Sequence, residues 1–252
     1  MMMPSLGFMR TGPAMRPETL RPSFMLAVTG GGGMWQDGVG SLPAGAGAPV
    51  GRIAAASGFG IATQSAAAAR PILSTALTAL AFDGVDDCLV SNDPGHGNLR
   101  EVHIAVKLPT SFNGRPDTYQ TLFGSRSGSN TEMSFTTIVW RLGRHELWAR
   151  AGTASLELTS GIDALMGGWH VLGFSHDGTV IRAWLNGTQI GEKAQTGAAS
   201  SSRPSFIGSL NAGGTASTPF GGEISALLDF PRILTGDERN LAVAYLRGKL
   251  PS

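Results

Sequence analysis

The chain holds one cysteine, Cys88, among 252 residues, and a lone thiol forms neither an intrachain disulfide nor a thiolate zinc cluster. Stability must then come from packing or from association with other chains. Charge is also sparse, with 15% charged residues and a formal net charge of +1. The basic residues are scattered rather than striped, so the electrostatic footprint of a nucleic-acid binder is missing. No segment approaches the roughly 18 consecutive apolar residues of a membrane helix. Arg10, Arg16 and Arg21 precede the apolar run "FMLAV", but a signal peptide needs an apolar stretch of about 7 to 15 residues and a small-residue cleavage site. The run leads instead into "TGGGG", and no classical secretion is expected.

What the chain has in quantity is turn chemistry, with 36 glycines and 14 prolines beside a 42% hydrophobic content that suffices for a core. The length suits one all-β sandwich or barrel with an appendage. Residues 1–33 differ from the rest, because methionine and proline recur there and no apolar period persists. Alone, such a segment is a disordered tail. Against a neighbour it is an anchoring arm, with Met1, Leu6, Phe8, Met9, Met15, Phe24 and Met25 as adaptable apolar contacts. On the arm reading, deleting residues 2–33 leaves a folded domain. Residues 34–77 are rich in Gly, Ala and Pro and are expected to wrap the domain edge with short strands at most. "GAGAPVG" there contains Pro49 and lacks a strand-to-helix setting, so it is no phosphate loop.

Residues 78–252 carry the period-two signal. Strands are expected near 79–90, 102–108, 119–124, 134–141, 145–150, 155–159, 169–175, 179–185, 188–193, 204–208 and 222–230, a spacing that suggests a sandwich or jelly roll. In "VIRAWLNGTQI", Asn186 and Gly187 suit a type I′ hairpin turn, and Asp177 and Gly178 are expected to do similar work one hairpin earlier. Ile181, Ala183 and Leu185 go to one face, Val180, Arg182 and Trp184 to the other. Thr235 and Glu238 form a T-x-x-E capping box. They predict a helix near 236–247 that packs Leu241, Ala242, Tyr245 and Leu246 on the sandwich and leaves Arg239, Asn240 and Arg247 to solvent.

The stretches "RPIL" with "ALAFDGVDDCLV" (70–90), "GWHVLGFSHDGTVIRAWLNGTQIG" (168–191), "SFIGS" (205–209) and "FGGEISALLDFPRILTGDERNLAVAYLRGKL" (220–250) resemble the concanavalin A-like, laminin-G-like jelly-roll family. "MWQDGVGSLPAGAGAPVGRI" and "SGFGIATQSAAAARP" resemble the leader of tailed-phage and prophage proteins that bear such a domain. The resemblance implies an all-β, two-sheet antiparallel jelly-roll sandwich with an extended N-terminal arm and a short C-terminal helix. It further implies a virion surface protein on head or tail, held by other virion proteins through the arm and touching host-surface glycans. A homo-oligomer is expected, with a trimer preferred by analogy with spikes and fibres. The alternatives are a secreted bacterial carbohydrate-binding module and a polysaccharide hydrolase.

Enzymatic activity is not expected. Hydrolases of this fold carry E-x-D-x-E, and two-carboxylate glycoside chemistry needs acids about 5 to 9.5 Å apart; this sequence lacks the run. Asp83, Asp86 and Asp87 read as solvated turn carboxylates beside core residues Phe82, Val85 and Leu89, and Cys88 as a small buried hydrophobe. Ser175, His176 and Asp177 are consecutive and cannot converge as a triad. His96, His103, His145, His170 and His176 show no metal spacing. The family resemblance leaves calcium as a cofactor candidate, with Asn92, Asp93 and Asn98 in "SNDPGHGN" as oxygen ligands; a plain turn explains the same letters. Trp140, Trp148, Trp169 and Trp184 are available for stacking on sugars, and the sequence does not choose a face among them.

Overall fold

The structure, a computed structural model, describes residues 17–28, 33–54, 60–92, 97–110, 118–126, 133–197, 199, 203–212 and 215–251. Two sheets pack face to face. The eight-stranded sheet runs in spatial order Thr188–Ala194, Val180–Leu185, Trp169–His176, Arg100–Lys107, Glu223–Phe230, Leu80–Ala81 and Ile72–Leu73, with Phe24–Ala27 paired to the end of Glu223–Phe230. The eleven-stranded sheet runs Ala154–Leu158, Arg144–Ala151, Met133–Arg141, Thr118–Arg126, Phe206–Ile207, Leu89–Ser91, Ile61–Thr63, Arg52–Ala54 and Met34–Trp35. The hairpin of Leu210–Ala212 and Thr215–Ser217 attaches beside Thr118–Arg126. Its junction is the one parallel pairing among the described strands. This is the two-sheet antiparallel jelly-roll sandwich expected, closed by one helix.

Alternation along each strand decides what the sheets enclose. Val102, Ile104 and Val106 meet Leu122, Ile138 and Leu147 from the facing sheet in the main core. In the opening hairpins Ile181 and Ala183 point inward while Trp184 lies on the other face, and Asn186 and Gly187 take φ of 52° and 89° as a type I′ turn requires. The preceding turn works differently. Only Gly178 has positive φ, and Asp177 acts through its carboxylate, which accepts from the Thr179 and Val180 N–H groups.

The run 79–90 is not one strand. Leu80–Ala81 belongs to one sheet and Leu89–Ser91 to the other, with Asp83–Asp87 forming the crossing turn. Phe82 and Leu89 are core residues, but Val85 sits at the tip of that turn with 72% of its surface exposed, so it anchors nothing. Cys88 is buried beside the Gln64 amide, and burial is the main reason its thiol is pushed up to about 11.

The arm reading fails for Phe24 and Met25. Phe24–Ala27 is an integral strand, with Phe24 (1% exposed) and Leu26 entering the main core and Met25 entering the cluster beneath the helix. Phe24 is seated so closely on Gly60 that a Cβ there would lie 2.4 Å from its ring. Met1, Leu6, Phe8, Met9 and Met15 lie outside the described residues.

Gly236–Arg247 forms the helix, and both halves of the Thr235/Glu238 capping box are present. Ala242, Val243 and Leu246 pack on Met25, Val171, Leu228 and Phe230. Two polar residues expected in solvent are engaged instead. Arg239 turns under the helix to Glu101 (2.6 and 3.0 Å) and lies 4.5 Å from the Trp184 ring, and Arg247 donates to the Asn186 carbonyl. Burial pushes the Glu101 carboxyl upward, but hydrogen bonds from His103, Arg239 and Leu234 outweigh it and hold the group below the usual carboxylate range.

A second buried charged group lies inside the sandwich. Arg100 pairs with Asp229, and His176, on the strand beside Arg100, hydrogen-bonds the Asn98 carbonyl through Nδ1 at 2.9 Å. Burial, aided by the Arg100 charge, lowers the His176 pKa from 6.5 to about 4. The folded state therefore holds this imidazole neutral while the unfolded chain protonates it. Its contribution is fully present above pH 6.5 and is lost as pH falls toward about 4. Asp87, raised to about 6, acts in the opposite sense over part of this range, so the comparison is between proteins: chemical denaturation is expected to show the wild type losing on the order of 3 kcal/mol more than His176→Gln as pH falls from 6.5 to about 4. Parallel pH profiles for both proteins would refute the assignment.

Candidate functional site

The outward face of the eleven-stranded sheet, away from the core, carries a band of polar and aromatic side chains in which Tyr119 and Glu157 are exposed while Thr121, Thr137, Val139, Glu146 and Trp148 are buried beneath them. Register places them in rows across neighbouring strands. Tyr119 lies opposite Val139, which lies opposite Glu146. Thr121, Thr137, Trp148 and Glu157 form the next row. A third row crosses the sheet from Trp35 and Arg52 through Thr63, Val90 and Phe206 to Gly124, Phe135, Arg150 and Ser155.

Trp148 is the foundation of this face. It is 8% exposed, and its Nε1 donates to Glu146 Oε2 at 2.8 Å. The Tyr119 ring meets it edge-on at 5.6 Å between centroids and remains 37% exposed. Tyr119 is thus a braced, outward aromatic surface whose orientation is fixed by the buried ring behind it. Thr121 Oγ1 lies 3.0 Å from Thr137 Oγ1 and 2.7 Å from Thr218 Oγ1, a hydroxyl chain that fixes the neighbouring row.

The hairpin tip beside these rings is cationic. Leu142 and Gly143 adopt φ of 52° and 79°, a tight turn that brings Arg141 directly opposite Arg144. Like charges in that arrangement repel. Each finds partial relief on the same face: Arg144 Nε donates to Glu146 Oε1 at 3.1 Å, and the Arg141 guanidinium lies 5.9 Å from the Trp148 ring centroid.

At the other half of the face is a groove of about 570 Å³. Asp37, Gly38 and Val39 wall one side, and Thr63, Ser65, Arg70 and Val90 contribute to the rest. The Asp37 carboxylate accepts from the Gly40 and Ser41 N–H groups and from the Ser41 hydroxyl, and the hydroxyl bond is the chief reason its pKa falls to about 2. Arg70 donates from Nε and Nη2 to the Gln64 and Ser65 carbonyls. The Arg70 fork is therefore held in place by backbone, and no carboxylate pairs with it among the described residues.

The family match follows this geometry. Residues 89–238 match the model described as the concanavalin A-like lectin/glucanases superfamily. The chain belongs to this superfamily. Solved structures similar to the chain include the CBM40 of the Ruminococcus gnavus IT-sialidase bound to α2,3-sialyllactose, at 19% identity over 59% of this chain and 83% of that one, TM-score 0.42. Domain 4 of AbnA, a GH43 extracellular arabinanase from Geobacillus stearothermophilus, in complex with arabinotriose, gives 21% identity over 65% and 76%, TM-score 0.46. The binding domain of botulinum neurotoxin serotype D gives 11% identity over 66% of this chain and 42% of that one, TM-score 0.49. No curated protein matches the chain.

The residues singled out for calcium have other duties. Asn92 Oδ1 accepts from the Ile61 N–H at 2.8 Å, and Asn98 Oδ1 accepts from the Ala199 N–H at 2.9 Å, so each amide oxygen pins a separate segment. Asp93 lies outside the described residues. Asp83, Asp86 and Asp87 do bring oxygens within 4.8 Å of one another. Their geometry is that of a turn: Asp87 accepts from the Asp83 N–H, and burial followed by the adjacent acids raises its pKa to about 6.

Of the four tryptophans considered for stacking on sugars, Trp148 alone supports the outward face, whose third row also carries the fifth tryptophan, Trp35. Trp184 lies between His103 and Arg239 beneath the helix, Trp140 packs at the core edge against His145, and Trp169 opens its strand on the opposite sheet. Tyr119 escaped sequence reasoning, although its position in "TYQT" inside an expected strand already placed Tyr119 and Thr121 on one face.

Proposed function

We propose that the chain is a non-enzymatic glycan-binding module whose contact surface is the outward face around Tyr119. The observation that carries this reading is the half-exposed Tyr119 ring, braced edge-on by Trp148 and rimmed by Arg141 and Arg144. A sugar presents C–H faces and hydroxyl edges, and an aromatic plane ringed by fixed polar groups matches both. The alternate outward positions of one strand are Glu146, Trp148 and Arg150. They supply one carboxylate, one indole and one guanidinium in place of the paired carboxylates that hydrolysis requires. Both Glu146 oxygens already accept hydrogen bonds. Glu157, the other acid in these rows, is exposed on the edge strand without the enclosure a general acid uses.

The setting proposed with this activity is the surface of a tailed-phage particle, on head or tail. Residues before Phe24 would join other virion proteins, and copies would associate, with a trimer preferred. Its support is the resemblance of the Met34–Pro71 segment to phage leaders.

A glycan array tests the binding reading. The full chain is expected to retain at least one glycan class, and Tyr119→Ala is expected to weaken that binding about tenfold or more while the loss of its edge-on contact with Trp148 lowers the melting temperature by only a few degrees. Equal binding by the two proteins would dismiss this face, as would an array with no bound glycan.

A further inference from the structure

Resting on that reading, we propose that the ligand is a linear, carboxylate-bearing polysaccharide, and that it runs along the sheet from the Arg141/Arg144 tip to a second subsite in the groove beside Arg70. Three independent features converge on this. The first is charge. Arg52, Arg70, Arg141, Arg144 and Arg150 serve one face, while two of its acids are consumed internally: Asp37 by its own turn, and Glu146 by Trp148 and Arg144. A guanidinium presents a planar fork that matches a carboxylate in two hydrogen bonds.

The second feature is the hairpin tip. Arg141 and Arg144 stand directly opposite each other, an arrangement that costs stability unless something negative bridges the pair. Of the two arginines, Glu146 pairs with Arg144 alone among the described residues. A ligand carboxylate between the two arginines completes the compensation and leaves Tyr119 to meet the face of the same sugar.

The third is continuity. Thr63 and Val90 line the groove and also belong to the cross-strand row that ends at Arg150 and Ser155. Arg52, in that row, packs under Gly40 of the loop that walls the groove and lies 5.8 Å from the Trp35 ring. With neighbouring strands about 4.8 Å apart, the path across the row from Arg150 to Thr63 covers on the order of 24 Å, and the Arg144 tip stands six residues, roughly 20 Å, further along the Arg144–Ala151 strand. That is several sugar units, too long for one monosaccharide site and suited to a chain. In the groove, two Arg70 nitrogens are tied to the Gln64 and Ser65 carbonyls, while Nη1 makes no hydrogen bond among the described residues. Held this way, Arg70 can receive a carboxylate without losing side-chain freedom on binding.

Isothermal titration of the full chain against oligogalacturonate, alginate and hyaluronan ladders, from disaccharide to octasaccharide, tests the proposal. Affinity for at least one series is expected to rise with chain length beyond the tetrasaccharide and to fall with added salt. Methyl esterification of the galacturonates, which removes charge and keeps the ring, or carboxyl reduction of the other two polymers, is expected to cost about tenfold or more. Arg70→Gln is expected to flatten the length dependence of affinity. Thr63→Glu, which sets a negative charge on the groove wall, should do the same if Arg70→Gln fails to fold.

No binding to any of the three polymers overturns the proposal, as does affinity indifferent to length or to charge. If the array returns a neutral glycan bound through Tyr119 while every acidic ladder is silent, the module reading stands and this extension falls. Acidic ladders that bind equally well to wild type and Tyr119→Ala would remove the module's assigned face itself.

Discussion

A chain lacking residues 2–28 is expected to lose its cooperative fold, because the deletion removes a strand from inside the molecule. Phe24, Met25 and Leu26 are all buried. At about 1.5 to 3 kcal/mol per fully buried large apolar side chain, their loss amounts to roughly 5 to 9 kcal/mol, set against a typical total stability of about 5 to 15 kcal/mol. The deletion also uncovers the edge of Glu223–Phe230, where Ala226 to Asp229 pair with Phe24 to Ala27, and leaves an open edge that invites association between chains. Circular dichroism melts and size-exclusion chromatography should show loss of the transition and aggregated material. A monomeric product with a normal melt would mean that the strand is dispensable. A deletion ending at residue 16 spares these contacts, and it is the variant suited to asking whether the preceding residues direct incorporation into particles.

The misreading of this segment has a physical origin. Period-two alternation appears in sequence only when a strand has one dry and one wet face. "FMLA" is dry on both sides: Phe24 and Leu26 face the sandwich, and Met25 faces the helix. With no alternation, and with methionines and prolines around it, it resembles a flexible arm. By contrast, Val180–Leu185 and Thr188–Ala194 were legible because Asn186–Gly187 fixed a turn and part of each strand stayed open to solvent, and Trp169–His176, buried on both faces, was legible from the Asp177–Gly178 turn that ends it. The helix was legible from its capping box. What the helix lay upon was hidden, since Arg239 finds Glu101 across 138 positions of sequence.

The split of 79–90 has a similar cause. Phe82 and Leu89 both enter the core, so the segment scans as one apolar strand, and only the hydrogen bonds of Asp83 and Asp87 to their own turn reveal the crossing between sheets. The candidate face was harder still. Choosing Trp148 over Trp140 or Trp184 required the register of four strands, because a ring is outward or inward according to a one-residue phase. Tyr119 acquires significance only when Thr121 and Thr137 place it one row from Trp148. No local motif encodes that proximity.

The largest single-residue effect expected is at Asp229. Its carboxylate receives Arg100 Nε at 2.8 Å and Nη2 at 2.7 Å, with both side chains almost wholly removed from solvent. Arg100 Nη2 also reaches Ser205 Oγ at 2.7 Å, and its guanidinium lies 4.8 Å from the Phe123 ring, so this one pair links the two sheets across the core. Asp229→Ala strips the countercharge and leaves a guanidinium in an apolar interior. Breaking a buried pair in this way costs about 3 to 5 kcal/mol, and the urea midpoint is expected to fall accordingly with little change in slope. The penalty arises from the stranded charge rather than from the lost attraction. Replacing both residues, as Arg100→Met with Asp229→Leu, should therefore recover much of the stability that Asp229→Ala removes. A loss below about 1 kcal/mol in the single variant would show that water reaches Arg100 in solution. A double variant no better than the single one would assign the cost to the packing and the Ser205 contact instead of to uncompensated charge.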